Sequence, residues 1–351
     1  MIKVLMIGNH KSNKGGMTSV ITQILDYNWK KESINLEFIP TYINSNNICK
    51  ALFFAWSYLR IVFCFIFNKP DVVHMHMSYK GSFSRKFYIH NLCKFFGVKY
   101  IIHLHGSEFK KWYDTCDESK QQKIKTLFNE SLCTFVLGEN WKNILREICP
   151  SANITILRNA IKIPTECVSI NEKFKFLYLG VLIKRKGLID LIDAINQLNK
   201  QNRFVNKELI IAGVGEEESY LRSKVQEYKL SLCIKFVGWI SGKTKNELIQ
   251  SCQVSVLPSY NEGLPISILE SLGYGMPVIS TDVGDISSAV INGYNGYLIE
   301  PGNIEQLKKS IIDICDKETY INFSKNARQT AQDKFSDDAF YNSLLKIYKN
   351  I

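Results

Sequence analysis

Glu262-Gly263-Leu264-Pro265-Ile266-Ser267-Ile268-Leu269-Glu270 sets two carboxylates eight residues apart around a helix start. Proline suits the first position of a helix, where a backbone N–H would have no partner. A helix is therefore expected from Pro265, with Glu262 in the preceding loop and Glu270 about a turn and a half inside. The amides near Leu264 to Ser267 then point outward, an arrangement that holds phosphate. Eight helical residues span roughly 12 Å, the reach of a nucleotide-sugar with its hexose near one carboxylate, its pyrophosphate at the helix end and its ribose diol near the other. The same span argues against a glycosidase, whose carboxyls flank one bond at about 5 to 9.5 Å.

On both sides of this segment, apolar runs alternate with helical periods along the whole chain. Strands are expected at Lys3 to Ile7, Leu36 to Ile39, Val72 to His76, Tyr100 to His105 and Cys133 to Leu137. A second set follows at Phe174 to Leu179, Glu208 to Ala212, Ile234 to Val237, Val254 to Leu257 and Val278 to Ser280. Such alternation builds parallel sheets covered on both faces. With 351 residues, 46% of them hydrophobic, the chain has enough material for two cores. The expected division is 1–165 and 166–335, with a linker over Arg158 to Lys173 and a final amphipathic helix at 336–351. Ligands of open α/β sheets sit beyond the carboxyl ends of the strands, so two such domains facing each other would make a central cleft.

The net charge of +11 is unevenly spread. Residues 1–165 carry 22 Lys and Arg against 11 Asp and Glu, and the remainder carries 22 of each. A basic N-terminal half suits an anionic membrane, a phosphorylated acceptor or nucleic acid. Nucleic acid is the weakest of these, since no helix-turn-helix, zinc-finger or RNA-stacking signature accompanies the charge. Ten scattered cysteines without a Cys-x-x-Cys imply reduced thiols and a cytoplasmic setting. Cys49 to Phe67 is an apolar stretch interrupted by Lys50 and Arg60. It reads as a buried helix, an interfacial helix or a membrane span, in that order of preference, because a mid-span Arg costs about 2.5 to 3.5 kcal/mol.

Several other stretches carry chemistry. Gly15 and Gly16 follow the first strand, where missing Cβ atoms let a backbone approach a ligand. Gly180, Arg185, Lys186 and Gly187 end the first strand of the second half, and fixed positive charge there can neutralise a departing diphosphate. Gly213 and Gly215 follow another strand end. His74 and His76, and His103 and His105, are paired at a spacing that puts each pair on one strand face. They lack the Cys or carboxylate framework of a known metal site, so no metal is expected. No Asp-x-Asp triplet occurs either.

The Glu-x7-Glu segment, followed by Gly275-Met276-Pro277-Val278-Ile279, resembles the retaining group 1 (GT4-like) glycosyltransferases, which have the GT-B fold of two Rossmann-like, doubly wound parallel-sheet domains. The resemblance covers nearly the whole chain and is most specific from Gly180 to Gly284. It implies an N-terminal acceptor domain, onto which the last helix packs, and a C-terminal nucleotide-sugar domain. It assigns catalytic roles to Glu262, His105, Lys186 and Arg185. Donor contacts would come from Gly15, Gly16, Gly180, Arg185, Lys186, Gly213, Gly215, Gly263, Leu264, Pro265, Ile266 and Glu270. Val181 stands where many relatives have Arg, which passes that role to Arg185. The remaining histidines would be structural.

The implied activity is metal-independent hexosyl transfer with retention. No cofactor is expected; the donor is a nucleoside-diphosphate sugar, UDP-linked in preference to GDP-linked. The acceptor would be a growing, lipid-linked surface polysaccharide of capsule or O-antigen (lipopolysaccharide) type, met at the inner face of the cytoplasmic membrane by a peripheral enzyme. The alternatives are a GT-B sugar-nucleotide epimerase or hydrolase that needs no acceptor, and a non-enzymatic glycan- or membrane-binding relative.

Overall fold

The computed structural model describes residues 1–169 and 173–351. The chain forms two compact units, Met1–Asn159 with Asp338–Ile351, and Ala160–Asp337. The division thus falls a few residues before 165 and a few after 335. Residues 170–172 of the expected linker lie outside the described residues.

The first unit runs β1 (Ile2–Asn9), α1 (Gly16–Asp26), β2 (Ile34–Tyr42), α2 (Asn47–Phe67), β3 (Val72–Met77), α3 (Gly81–Phe96), β4 (Lys99–Leu104), α4 (Phe109–Asp114), α5 (Glu118–Asn129), β5 (Cys133–Val136), α6 (Glu139–Ile148) and β6 (Ile154–Ile156). Its six-stranded sheet has the order β2-β1-β3-β4-β5-β6, with every pair parallel. Helices on both faces leave β3 with all of its side chains buried, which is why these strands read as largely apolar runs, with His74 and His76 the exceptions in β3.

The second unit runs β7 (Phe174–Leu179), α7 (Leu188–Lys200), β8 (Lys207–Ala212), α8 (Glu218–Glu227), β9 (Ile234–Gly238), α9 (Gly242–Gln250), β10 (Val254–Leu257), α10 (Ile266–Gly273), β11 (Val278–Thr281), β12 (Gly296–Ile299), α11 (Ile304–Asp313) and α12 (Lys317–Phe335). Its sheet, β12-β11-β10-β7-β8-β9, is again parallel throughout. Strand order reverses between β7 and β10 here, and between β1 and β3 in the first unit. Crevices for ligands open at such reversals. The two strands the sequence reading omits, β6 and β12, are both sheet edges of three or four residues.

A last helix, α13 (Asp337–Lys349), buries Phe340, Leu344 and Tyr348 at four-residue spacing on the first unit. Tyr341 donates to the Gln23 carbonyl at 2.9 Å and stacks on Tyr27 at 4.1 Å. Lys349 pairs with Glu32 at 2.8 Å.

Helix α2 departs from the preferred buried reading. Only Ser57, Ile61, Cys64 and Phe65 are buried, and the opposite side is open. An apolar composition all round hid which face packs.

Candidate functional site

In the second unit the chemistry gathers at the β7/β10 reversal. After β7 the chain makes a single 3-10 turn, Lys184–Lys186, and ends it at Gly187 with φ +69°. A Cβ on Gly187 would lie 2.0 Å from the Pro258 carbonyl oxygen, so only glycine lets this loop close onto the end of β10. The closure delivers two cations. Lys186, 9% exposed, donates its ammonium to Glu262 Oε1. Arg185 lies with Nη1 3.9 Å from Glu262 Oε2 and donates to the Asn261 carbonyl at 2.6 Å. The Arg185 carbonyl in turn accepts from the Tyr260 amide at 2.8 Å.

Glu262 is itself only 7% exposed. Its backbone is held from the other side: a Cβ on Gly284, at φ +62°, would sit 2.1 Å from the Glu262 carbonyl oxygen, and the Asp285 amide donates to the Gly263 carbonyl at 3.0 Å. Burying an unpaired carboxylate is costly, and the two cations offset part of that cost. Beneath them Tyr178 is fully buried, with its hydroxyl pushed well above the ordinary value by burial first and by the Glu262 charge second. It donates to the Val181 carbonyl at 2.9 Å and fills the space over Gly180.

Helix α10 starts beside this cluster, one residue later than expected. Pro265 is the N-cap at φ −66°, ψ 126°, and its carbonyl accepts from the Ile268 amide at 3.1 Å. Leu264 is a buried anchor, 3% exposed. The first-turn amides of Ile266 and Ser267 have no carbonyl four residues back in the helix, as at any helix start. Glu270, farther along, accepts from Lys245 of α9 at 2.5 Å, both side chains being about a quarter exposed. Lys245 was not anticipated: partners 25 residues apart on different helices leave no local signal in the sequence.

Packing by itself requires glycine at 213 and 215. A Cβ on Gly213 would meet the Gly180 carbonyl oxygen at 1.8 Å, and one on Gly215 the Leu182 carbonyl oxygen at 2.2 Å. The loops after β7 and β8 are zipped together, Gly180 amide to Ala212 carbonyl at 3.1 Å and Leu182 amide to Val214 carbonyl at 3.0 Å. These glycines serve backbone packing. Gly15, at φ +136°, and Gly16 differ, since an added Cβ at either meets no described atom within 4 Å.

The first unit has its own polar group at the β1/β3 reversal. His105 follows β4, bonds its amide to the Met77 carbonyl at 2.8 Å and shares a 2.9 Å contact between its Nε2 and His76 Nδ1. Burial, with His74 and Lys86 adding repulsion, pushes its pKa down to about 3, so the ring is neutral near pH 7. His74, His76 and His103 are completely buried, and His74 Nδ1 contacts the Tyr348 hydroxyl at 2.6 Å. One nitrogen from each of these three rings lies within 4.8 Å of the others. The rings are stacked, His74 against His103 at 8° and against His76 at 23°. A metal lies near the plane of each imidazole that binds it, so binding one ion would require these rings to turn out of their stack.

Lys86, also fully buried, donates to Thr41 Oγ1 at 3.0 Å, and that hydroxyl donates to the Gly8 carbonyl at 3.2 Å. Burial holds its ammonium well below the usual lysine range. The sequence gives no hint of it, because Lys in a helix ordinarily faces water.

Residues 162–330 match the family of glycosyl transferases group 1. Over 333 residues the chain is 22% identical to the Escherichia coli UDP-Gal:alpha-D-GlcNAc-diphosphoundecaprenol alpha-1,3-galactosyltransferase, covering 87% of this chain and 81% of that protein. The structure is similar to sucrose-phosphate synthase from Thermosynechococcus elongatus, with a TM-score of 0.85 at 18% identity over 100% of this chain and 99% of the other. It is also similar to Anabaena HepE in complex with UDP, with a TM-score of 0.79 at 16% identity over the whole of both chains. The chain carries the group 1 glycosyltransferase domain and has the GT-B fold.

Proposed function

We propose that this group 1 glycosyltransferase moves a hexose, with retention, from a UDP-sugar to a lipid-linked glycan during synthesis of a surface polysaccharide of capsule or lipopolysaccharide type. The observation that carries the proposal is the Lys186–Glu262–Arg185 cluster, held by three loops beside the start of α10. Two cations against one carboxylate leave a net positive charge there, and an ammonium with one proton engaged by Glu262 keeps two for phosphate. Lys186, Arg185 and the Ile266 and Ser267 amides then stabilise the diphosphate as it departs. Glu262 orients the hexose, and Glu270 takes the ribose diol by exchanging its bond with Lys245.

His105, neutral and anchored through His76, hydrogen-bonds a sugar hydroxyl without adding charge. With Glu262 engaged by both cations and assigned to orienting the hexose rather than attacking it, displacement occurs on the face the diphosphate leaves, and the phosphate oxygen takes the acceptor proton. The E. coli relative, named for UDP-galactose and a diphosphoundecaprenol acceptor, and the UDP complex of HepE support the donor base and the lipid-linked acceptor. On this reading the protein works at the cytoplasmic face of the membrane and needs no metal.

The test is isotopic transfer from a panel of UDP- and GDP-sugars into membrane lipid extract, with and without EDTA, followed by NMR of the new linkage. Label from one UDP-sugar should enter lipid with its anomeric configuration unchanged and be indifferent to EDTA. Release of altered sugar without acceptor, or loss on chelation that manganese restores, contradicts the proposal.

A further inference from the structure

Helix α2 exposes a stripe for which the donor site has no use. Ile48, Leu52, Trp56, Leu59, Phe63 and Ile66 are each between 57% and 74% exposed. At 100° per residue they fall within an arc of about 80°. The buried residues Ser57, Ile61, Cys64 and Phe65 lie on the opposite side, against β2 and α3. On α3, Tyr88 and Phe95 add exposed aromatic surface, and Tyr88 lies 6.3 Å from Phe54 of α2, centroid to centroid. Large contiguous apolar patches on a folded surface mark an interaction site.

Charge selects the occupant. From residue 38 to residue 107 there are eight Lys and Arg and a single acid, Asp71, which accepts the Lys3 amide at 2.7 Å. Arg60 borders the stripe and Lys69 follows its end, both exposed. Two copies of the chain meeting through this face would oppose cation to cation, whereas anionic phospholipid headgroups complement it.

We propose that α2 docks this protein on an anionic bilayer surface, lying in the interface with Trp56 and Phe63 among the upper acyl chains and Arg60 and Lys69 at the phosphates. Although its 21 residues suffice to cross a membrane, the helix cannot do so while its other face is packed on the protein. Docking rests on the transferase reading only for its purpose, which is to meet a lipid-linked acceptor; the surface itself is independent of that chemistry.

The experiment is flotation of the full chain with phosphatidylcholine vesicles, with and without phosphatidylglycerol, at low and high salt. The chain should float with the anionic vesicles, and Trp56→Glu with Phe63→Glu should cut the bound fraction by about tenfold or more. Arg60→Glu with Lys69→Glu should weaken binding mainly at low salt. Calorimetric affinity for UDP should be unchanged in both pairs. As a second readout, brominated lipid should quench tryptophan fluorescence in the wild type and less so in Trp56→Phe.

Wild-type chain that stays unbound with both vesicle types overturns the proposal, as does equal flotation of the Trp56/Phe63 pair. A wild-type dimer that the same pair converts to monomer, with no vesicle binding, assigns the stripe to self-association instead. Flotation without sugar transfer would remove the transferase reading and leave docking intact, and transfer without flotation would do the reverse.

Discussion

The two units bury their polar groups in opposite ways. In the first, four imidazoles and Lys86 crowd the β1/β3 reversal with no carboxylate of the described residues in contact, and burial drives the pKa of His74 and His105 down to about 3. In the second, Lys186 and Arg185 face Glu262 across loops clamped by Gly187 and Gly284. The first arrangement suits neutral hydrogen-bonding partners such as sugar hydroxyls. The second pairs cations with a carboxylate, which suits the diphosphate of the proposed donor. Unshared polarity in a core is met by losing the proton, shared polarity by pairing, and the choice at each site tells which kind of ligand group it can serve.

The sharpest way to break this contrast is Glu262→Ala. Transfer should fall by about 100-fold or more, on the order of 3 kcal/mol in kcat/KM; transfer equal to wild type would remove Glu262 from the catalytic machinery, and no transfer by the wild type itself would make the chain a binding module. Gly213→Ala is next. Its Cβ meets the Gly180 carbonyl, so urea unfolding should report a loss of about 1–3 kcal/mol, whereas Gly16→Ala, opening on free space, should leave stability unchanged and alter only substrate KM. For His105→Asn, kcat/KM should drop about tenfold, near 1.4 kcal/mol, with an unchanged thermal midpoint.

The smallest effect is on pH dependence. Above about 6.5 His74 and His105 are neutral whether the chain is folded or not. Between that value and about 3 the unfolded chain takes up protons that the folded one refuses, so stability falls as pH drops through this window. Urea midpoints should be lower at pH 5 than at pH 7, and His74→Gln should reduce the difference.

Much of the fold was legible because buried parallel strands are largely apolar runs, and Val254–Leu257, with Ser255 alone polar, or the strand expected at Val72 to His76, with His74 and His76, need no partner to be recognised. Edge strands such as Ile154–Ile156 are short and only half covered, so they leave little pattern. The acid pair was legible because Glu262, Pro265 and Glu270 lie within one local segment. Lys245 and Lys86 were not, since their significance comes from tertiary placement: the first meets Glu270 across two helices, and the second is buried against expectation for its type. The glycines divided for the same reason. Gly15 and Gly213 look alike in sequence, and only the neighbouring backbone separates an open loop from a filled one. Helix α2 shows the limit of composition, for a segment apolar all round does not reveal which side the protein covers.

The most direct test of the central claim is a crystal structure with UDP. The diphosphate should lie within hydrogen-bonding distance of the Lys186 ammonium and the Ile266 or Ser267 amide, with the ribose hydroxyls on Glu270 and Lys245 displaced from it. UDP bound elsewhere, with the Lys186–Glu262 pair and the start of α10 untouched, would contradict the account.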